Sequence, residues 1–304
     1  MPEWPDIQLY LHALRPRVVG RVISEVRVVS PFVLRTFDPP VEACVGRRVR
    51  AVNRIGKAFA FDLSDGPTVV VHLMIAGRWR WSPAGEARSP GKIALASVRF
   101  DDPAGRAAGT LHLVEPGPKK RAAMHVYPSS ESARAAHARG GLDATTCTVD
   151  AFVDRLRQET HTLKRALTDP RLFDGIGNAY SDEILHAARL SPLRMTNKLS
   201  DEEARRLAAT ARGVLAAWTR RLIETFGDRF PRPGDVTAFR PEFAVHGRFG
   251  KPCPACGTAV QRIRYAENET NYCPRCQTDG VLLADRSLSR LLKDDRPRHV
   301  DEIA

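Results

Sequence analysis

The chain has 304 residues, enough for two domains, and 43% hydrophobic content supports a sizeable core. Its 47 basic against 35 acidic side chains leave a net charge of +12, which suits a polyanion partner, most simply nucleic acid; a basic soluble protein without such a partner is the equal alternative from charge alone. No apolar run approaches the roughly 20 residues of a membrane span, no signal peptide is visible, and six cysteines do not suggest a disulfide scaffold, so a cytoplasmic protein is expected.

The start, Met1-Pro2-Glu3-Trp4-Pro5-Asp6, places a secondary amine beside a carboxyl group once Met1 is trimmed. An amino terminus has a reference pKa near 8, so much of it is a neutral nucleophile at physiological pH, able to form a Schiff base with an aldehyde-like carbon. Glu3 can move the protons this needs. Many chains begin Met-Pro by chance, so this signal is weak alone. Residues 3–15 can form a short helix. From Val18 to Tyr127 the chain reads as short β-branched strands, among them Val22–Val29, Phe59–Leu63, Thr68–Leu73 and Ala94–Phe100, broken by Asp-Gly, Pro and Gly turns. That pattern predicts an antiparallel sandwich or barrel.

Ser129 to Gly141 is polar and Ala-rich, the composition of a linker. After Thr148 the period turns helical, and Phe152, Val153, Leu156, Leu163 and Leu167 support one helix. Asp174-Gly175-Ile176-Gly177-Asn178-Ala179-Tyr180 follows. Its glycines allow a tight turn whose amides can face an anion, and Asn178 opens the next helix, where a phosphate could bind; the other reading is a simple helix cap. Together these suit a helix–two-turn–helix unit. Ser200 and Glu203 form a capping box with Leu199 as staple, starting a helix with Leu207, Ala211, Val214, Leu215, Trp218, Leu222 and Phe226 on its apolar face, and Gly227 as stop. Asp228–Asp235 is a loop.

Four cysteines pair as Cys253-Pro-Ala-Cys256 and, sixteen residues on, Cys273-Pro-Arg-Cys276. Two such turns can close a tetrahedral thiolate site for one structural Zn2+, with a redox pair as the alternative. Cys44 and Cys147 read as buried small hydrophobes. In the tail, Leu282, Leu283, Leu288, Leu291 and Leu292 can pack as a small helix. The class is therefore α+β multidomain: an N-terminal antiparallel β-sandwich with a leading helix, a helical helix–two-turn–helix domain, and a C-terminal zinc ribbon. The expected divisions are 1–128, a linker 129–147, 148–240, 241–277 and a tail 278–304.

The ordered set Met1–Asp6, Gly56-Lys57, His72-Leu73-Met74-Ile75-Ala76-Gly77, Lys164 through Asn178–Leu185, Val245-His246-Gly247-Arg248 and the cysteines ending in Cys276-Gln277 resembles the formamidopyrimidine-DNA glycosylase/endonuclease VIII family over about residues 1–277. The resemblance implies a base-excision repair glycosylase/AP lyase, monomeric and nucleoid-associated, whose partner is damaged duplex or single-stranded DNA. It implies that Pro2 attacks C1′ of a flipped nucleotide, that Glu3 is the acid/base, that Lys57 contacts a phosphate and the departing site, and that Asn178 binds phosphate. Further lesion or DNA contacts are implied at Asp6, His72, Ile75, Lys119, Lys120, Arg121, Lys164, Arg262 and Arg264.

The sequence also departs from the family pattern. Asp6 stands for the usual glutamate. Asn268 takes the position of the zinc finger's phosphate-gripping arginine, where an amide cannot replace a guanidinium. Ile75 replaces a wedge methionine. Glu115-Pro116-Gly117-Pro118-Lys119-Lys120-Arg121 replaces the loop that supplies an arginine and an aromatic wedge, and no Gly-rich oxoguanine-capping loop stands out between Phe226 and Phe243. The expectation is retained chemistry with substrate choice shifted away from 8-oxoguanine in duplex. Two other readings stand beside it: a lyase-dominant or crosslink-unhooking member, and a non-catalytic binder of damaged DNA.

Overall fold

The structure, a computed structural model, describes residues 1–86, 90–265, 268–283 and 297–303, without the side chains of Tyr265 and Asn268. Two compact units make up the chain: Met1–Arg139 with Trp218–Thr237, and Gly140–Ala217 with Ala238–Ala304.

The first unit holds helix α1 (Trp4–Val18) and eight strands: β1 (Val22–Val28), β2 (Val49–Ile55), β3 (Ala58–Leu63), β4 (Thr68–His72), β5 (Arg78–Pro83), β6 (Ala94–Asp101), β7 (Ala107–Val114) and β8 (Ala123–Tyr127). They form two four-stranded antiparallel sheets, ordered β1-β6-β7-β5 and β2-β3-β4-β8, as the strand pattern predicts. Alternate residues of both sheets meet in one core that also takes Ile7, Tyr10, Leu11 and Leu14 of α1. Trp79 sits at its centre, edge-on to Phe59 and Phe61 at 5.9 Å each.

Two local expectations change here. Helix α1 runs three residues past the expected end and carries Pro16 inside its last turn. The stretch read as a linker contains helix α2 (Ser130–His137), started by a Ser129–Ser132 capping box. Its Ala133 is buried with Val70, Ala58 and Ala60 on the outer face of the second sheet. Small side chains let α2 lie close to the sheet, which an Ala-rich composition alone does not reveal.

The second unit pairs β9 (Leu142–Asp143) in parallel with β10 (Phe173–Asp174). Its helices are α3 (Val149–Arg157), α4 (Leu163–Thr168), α5 (Asn178–Ala187) and α6 (Asp201–Phe226), and from Trp218 onward α6 belongs to the first unit. The single helix expected over Phe152–Leu167 is thus two. The Thr162 hydroxyl accepts the Arg165 N–H and starts α4 afresh, so cap chemistry overrides the continuous apolar spacing. The Ser200–Glu203 box forms as expected: Ser200 N–H donates to the Glu203 carboxylate at 2.9 Å and Glu203 N–H to Ser200 Oγ at 3.1 Å. Gly227, at φ +51°, ends α6.

The C-terminal ribbon is an antiparallel hairpin of β11 (Gln261–Tyr265) and β12 (Asn268–Tyr272), followed by helix α7 (Pro274–Thr278). Of the expected tail helix, Leu288, Leu291 and Leu292 lie outside the described residues. No helix among the described residues is long and apolar enough to cross a membrane.

Candidate functional site

The first cluster surrounds the amino terminus. Pro2 and Glu3 are buried, and Glu3 N–H donates to the Asp6 carboxylate at 3.0 Å. Asp6, 3% exposed, therefore closes the first turn of α1 and fixes where the terminus points. The Pro2 nitrogen is an amide while Met1 remains, and the terminal amine belongs to Met1. Burial lowers the pKa of that amine; Glu3 and Asp6 oppose this, while Arg78 and Lys57 add to it. Burial beside cations thus shifts the terminal amine towards its neutral form, the form that attacks carbon.

Lys57 sits in the two-residue turn between β2 and β3, where Gly56 has φ +61° and Ile55 pairs with Ala58. A glycine at the first central position is what such a hairpin requires. The sequence reading missed the residue that braces this turn. The Arg54 guanidinium lies 4.2 Å over the Trp4 ring and donates to the Gly56 carbonyl at 2.7 Å, tying the Lys57 turn to the start of α1. Trp4 and Arg54 are far apart in the chain, so no local sequence pattern pairs them.

His72 ends β4, and its Nδ1 accepts the Met74 N–H at 3.0 Å. Burial pulls its pKa down to about 4, with Lys57, His137, His125 and the amino terminus pushing the same way. It is a neutral imidazole at the edge of the cluster. Ile75 projects from the following turn, 58% exposed. In the basic loop, Lys119 and Arg121 are exposed, but the Lys120 ammonium bends back onto the Glu115 carbonyl. The Glu115 carboxylate, itself buried, accepts the N–H groups of Arg121 and Ala122 at 2.8 and 2.9 Å, so a buried acid shapes the loop.

The second cluster lies in the other unit, around α5. Asn178 is its first residue, after Gly175 at φ +86° and Gly177 at the cap, and its Nδ2 donates to the Glu269 carbonyl of β12 at 2.9 Å. The Lys164 ammonium is bonded to Asp182 Oδ1 at 2.5 Å and to the Asn178 carbonyl at 2.6 Å. Asp182 Oδ2 takes His246 Nδ1 at 2.7 Å and the Asn271 N–H at 3.1 Å. Neighbouring Glu183 accepts the N–H groups of Ala244, Val245 and His246 at 2.7, 2.9 and 2.9 Å. Burial raises its carboxyl pKa while those three amides hold it down. The adjacent acids Asp182 and Glu183 were the sequence signal for this network, and their partners were hidden.

The four cysteines of the ribbon converge, their Sγ atoms all within 4.8 Å of one another. Cys256 and Cys273 lie 3.4 Å apart and Cys253 and Cys276 3.9 Å. Tetrahedral zinc at about 2.3 Å from each sulfur separates neighbouring sulfurs by about 3.8 Å, so the set fits one structural zinc and the redox-pair alternative falls away. A further group, Glu159, His161 and Asp169, has the composition of a metal site. Arg171 fills it, bonding Asp169 at 2.6 Å and Glu159 at 3.5 Å. Cys44 is buried, as expected, and burial pushes its thiol up to about 11; Cys147 is only half-buried.

Three domain profiles match this chain: the formamidopyrimidine-DNA glycosylase N-terminal domain over residues 1–116, the formamidopyrimidine-DNA glycosylase H2TH domain over 141–223, and the zinc finger found in FPG and IleRS over 250–278. A formamidopyrimidine-DNA glycosylase of Thermus thermophilus is 35% identical over 282 residues, covering 92% of this chain and 100% of that protein. The chain belongs to the formamidopyrimidine-DNA glycosylase family. Its structure is similar to the crystal structure of the MutM (Fpg) protein from T. thermophilus, with a TM-score of 0.73 at 32% identity over 91% of this chain and 98% of that one. The Lactococcus lactis Fpg bound to abasic-site DNA shares the fold, with a TM-score of 0.76 at 24% identity over 91% and 99% of the two chains.

Arg262 of β11 lies 3.4 Å from the Glu269 carboxylate and 4.2 Å over the Phe249 ring. Its guanidinium is thus partly neutralised within the hairpin. Arg264, one alternate position further along β11, is exposed and pairs directly opposite Glu269. The Asn268 side chain lies outside the described residues, and its backbone opens β12.

Proposed function

We propose that this chain is a bifunctional DNA glycosylase/AP lyase of base-excision repair that works through the Pro2 amine. Family membership supports the glycosylase and lyase activities and DNA as partner. The observation that carries the mechanism is that Pro2 and Glu3 lie buried together at the start of α1, with the terminal amine in the field of Glu3, Arg78 and Lys57. After Met1 is removed, the secondary amine of Pro2 attacks C1′ of a flipped damaged nucleotide. Glu3 moves protons as the base departs and the sugar ring opens. The resulting iminium makes the 2′ protons acidic. Loss of one of them expels the 3′ phosphate and cleaves the strand. Water then hydrolyses the imine and frees Pro2. Lys57 and Asn178 are assigned to phosphates, which position DNA without reading sequence.

The substrate reading is finer. The basic loop presents exposed Lys119 and Arg121 but no aromatic side chain, the turn after β4 presents Ile75, and Arg262 is engaged by Glu269. These features support a preference shifted from duplex 8-oxoguanine towards oxidised pyrimidines, bare abasic sites, or bulky or single-stranded lesions. The test is borohydride trapping with abasic-site DNA on tag-free protein whose Met1 removal is verified by mass. An adduct mapping to Pro2 is expected. Adduct formation by Pro2→Gly at the normal rate through another residue overturns the assignment. In a parallel lesion panel, robust excision of duplex 8-oxoguanine alone overturns the substrate reading.

A further inference from the structure

Helix α5 and the zinc module belong to the same unit, and a polar tie joins them at each turn of the helix. At the first residue the tie is Asn178 to the Glu269 carbonyl. One turn on, Asp182 holds His246 and Asn271, and Glu183 holds the backbone of Ala244–His246. In the last turn, His186 Nε2 lies 3.3 Å from Cys253 Sγ. The first three grip strand and loop backbone or side chains near the ribbon. Only the fourth touches a sulfur of the zinc set.

We propose that His186 is a positioning residue for the zinc: its Nε2–H donates to the Cys253 thiolate, aims that sulfur at the metal and mutes its reactivity. A zinc-bound sulfur has lost its proton and can only accept, so the contact requires the imidazole to be the donor. Cys253 is 2% exposed, leaving the sulfur little water to hydrogen-bond in place of the ring. Donation to an anionic sulfur draws electron density from it, which strengthens the hydrogen bond and weakens the sulfur as a nucleophile. Partners behind the ligands orient them in this way throughout metal sites. The same helix carries Asn178 at its other end, so fixing Cys253 to α5 also holds the module in register with the proposed phosphate contact.

The test uses full-length zinc-loaded protein challenged with N-ethylmaleimide, with zinc release followed by a chromogenic chelator, and does not depend on glycosylase activity. His186→Phe should release zinc about 10- to 100-fold faster than the parent, the range typical for loss of a partner behind a metal ligand. His186→Gln keeps an N–H donor on a flexible arm and should recover part of the loss. Cobalt-substituted protein supplies a second readout: the thiolate-to-cobalt charge-transfer band should shift in His186→Phe and return towards its parent position in His186→Gln. Parent-like release in His186→Phe, or equal release by both variants with an unmoved cobalt band, overturns the proposal. A His186→Phe chain that fails to fold leaves the decision to His186→Gln, whose band must then lie near the parent position and whose zinc release must be at most modestly faster than the parent's; release about 100-fold faster overturns the proposal.

Discussion

The Lys164 ammonium and the Asp182 carboxylate stand 2.5 Å apart, with the carboxylate side chain fully buried and the lysine 12% exposed. Asp182 also accepts from His246 and Asn271, so one acid of α5 joins α4, the segment before the ribbon, and β12. The family resemblance implies a DNA contact at Lys164, and its ammonium has two acceptors within the protein, Asp182 and the Asn178 carbonyl.

Removing one member of a buried charge pair leaves the other uncompensated, which typically costs about 3–5 kcal/mol. Asp182→Ala should therefore destabilise the second unit by about that amount, read as a drop in the chemical-denaturation midpoint. Lys164→Met together with Asp182→Leu should cost clearly less, because no orphaned charge remains. Equal losses in the two variants would show that the pair itself is not what matters.

Glu3 is assigned the proton transfers of base release. Glu3→Gln keeps the shape and removes the acid/base, so single-turnover excision of a damaged base should slow by about 10²- to 10⁴-fold. Trapping on a preformed abasic site should fall far less, because the base is already gone. A uniform loss of both would move Glu3 from chemistry to structure.

His72 and His125 should make stability fall in mild acid. Burial pulls both imidazoles to about 4, with Lys57 the next contributor for His72 and His137 for His125, against an ordinary value of 6.5. Between those values the unfolded chain binds protons that the native fold refuses, so stability rises with pH across this window and is lost as pH drops from 6.5 towards 4. Urea midpoints at stepped pH should decline over that range and decline less in His125→Asn. Superimposable pH profiles for the two proteins would exclude a contribution from this ring.

Lys119 and Arg121 are the exposed cations of the basic loop, whereas Lys120 is folded back. If both grip phosphates, the double variant Lys119→Ala/Arg121→Ala should lower the log–log salt slope of DNA binding by about 2, since each phosphate contact adds about 0.9. Lys120→Ala should change that slope little. Fluorescence anisotropy on an abasic duplex across a salt series separates the two outcomes.

Much of the design was legible locally. Chelating cysteine turns, a Met-Pro-Glu start, an α6 capping box and period-two strands are all short-range patterns, and short-range patterns are what a sequence displays. They determined the zinc site, the two β-sheets, the principal helices and the family resemblance. The structure decided matters that depend on distant partners. Thr162 split one expected helix because its hydroxyl found the Arg165 N–H, and α2 formed in an expected linker because Ala133 found Val70. Among the basic residues, tertiary contacts turned Lys164 towards Asp182, Lys120 towards Glu115 and Arg262 towards Glu269, while Lys119 and Arg121 stayed exposed. Charge is a property of composition, but the availability of a charge for DNA depends on which acid or carbonyl the fold brings beside it.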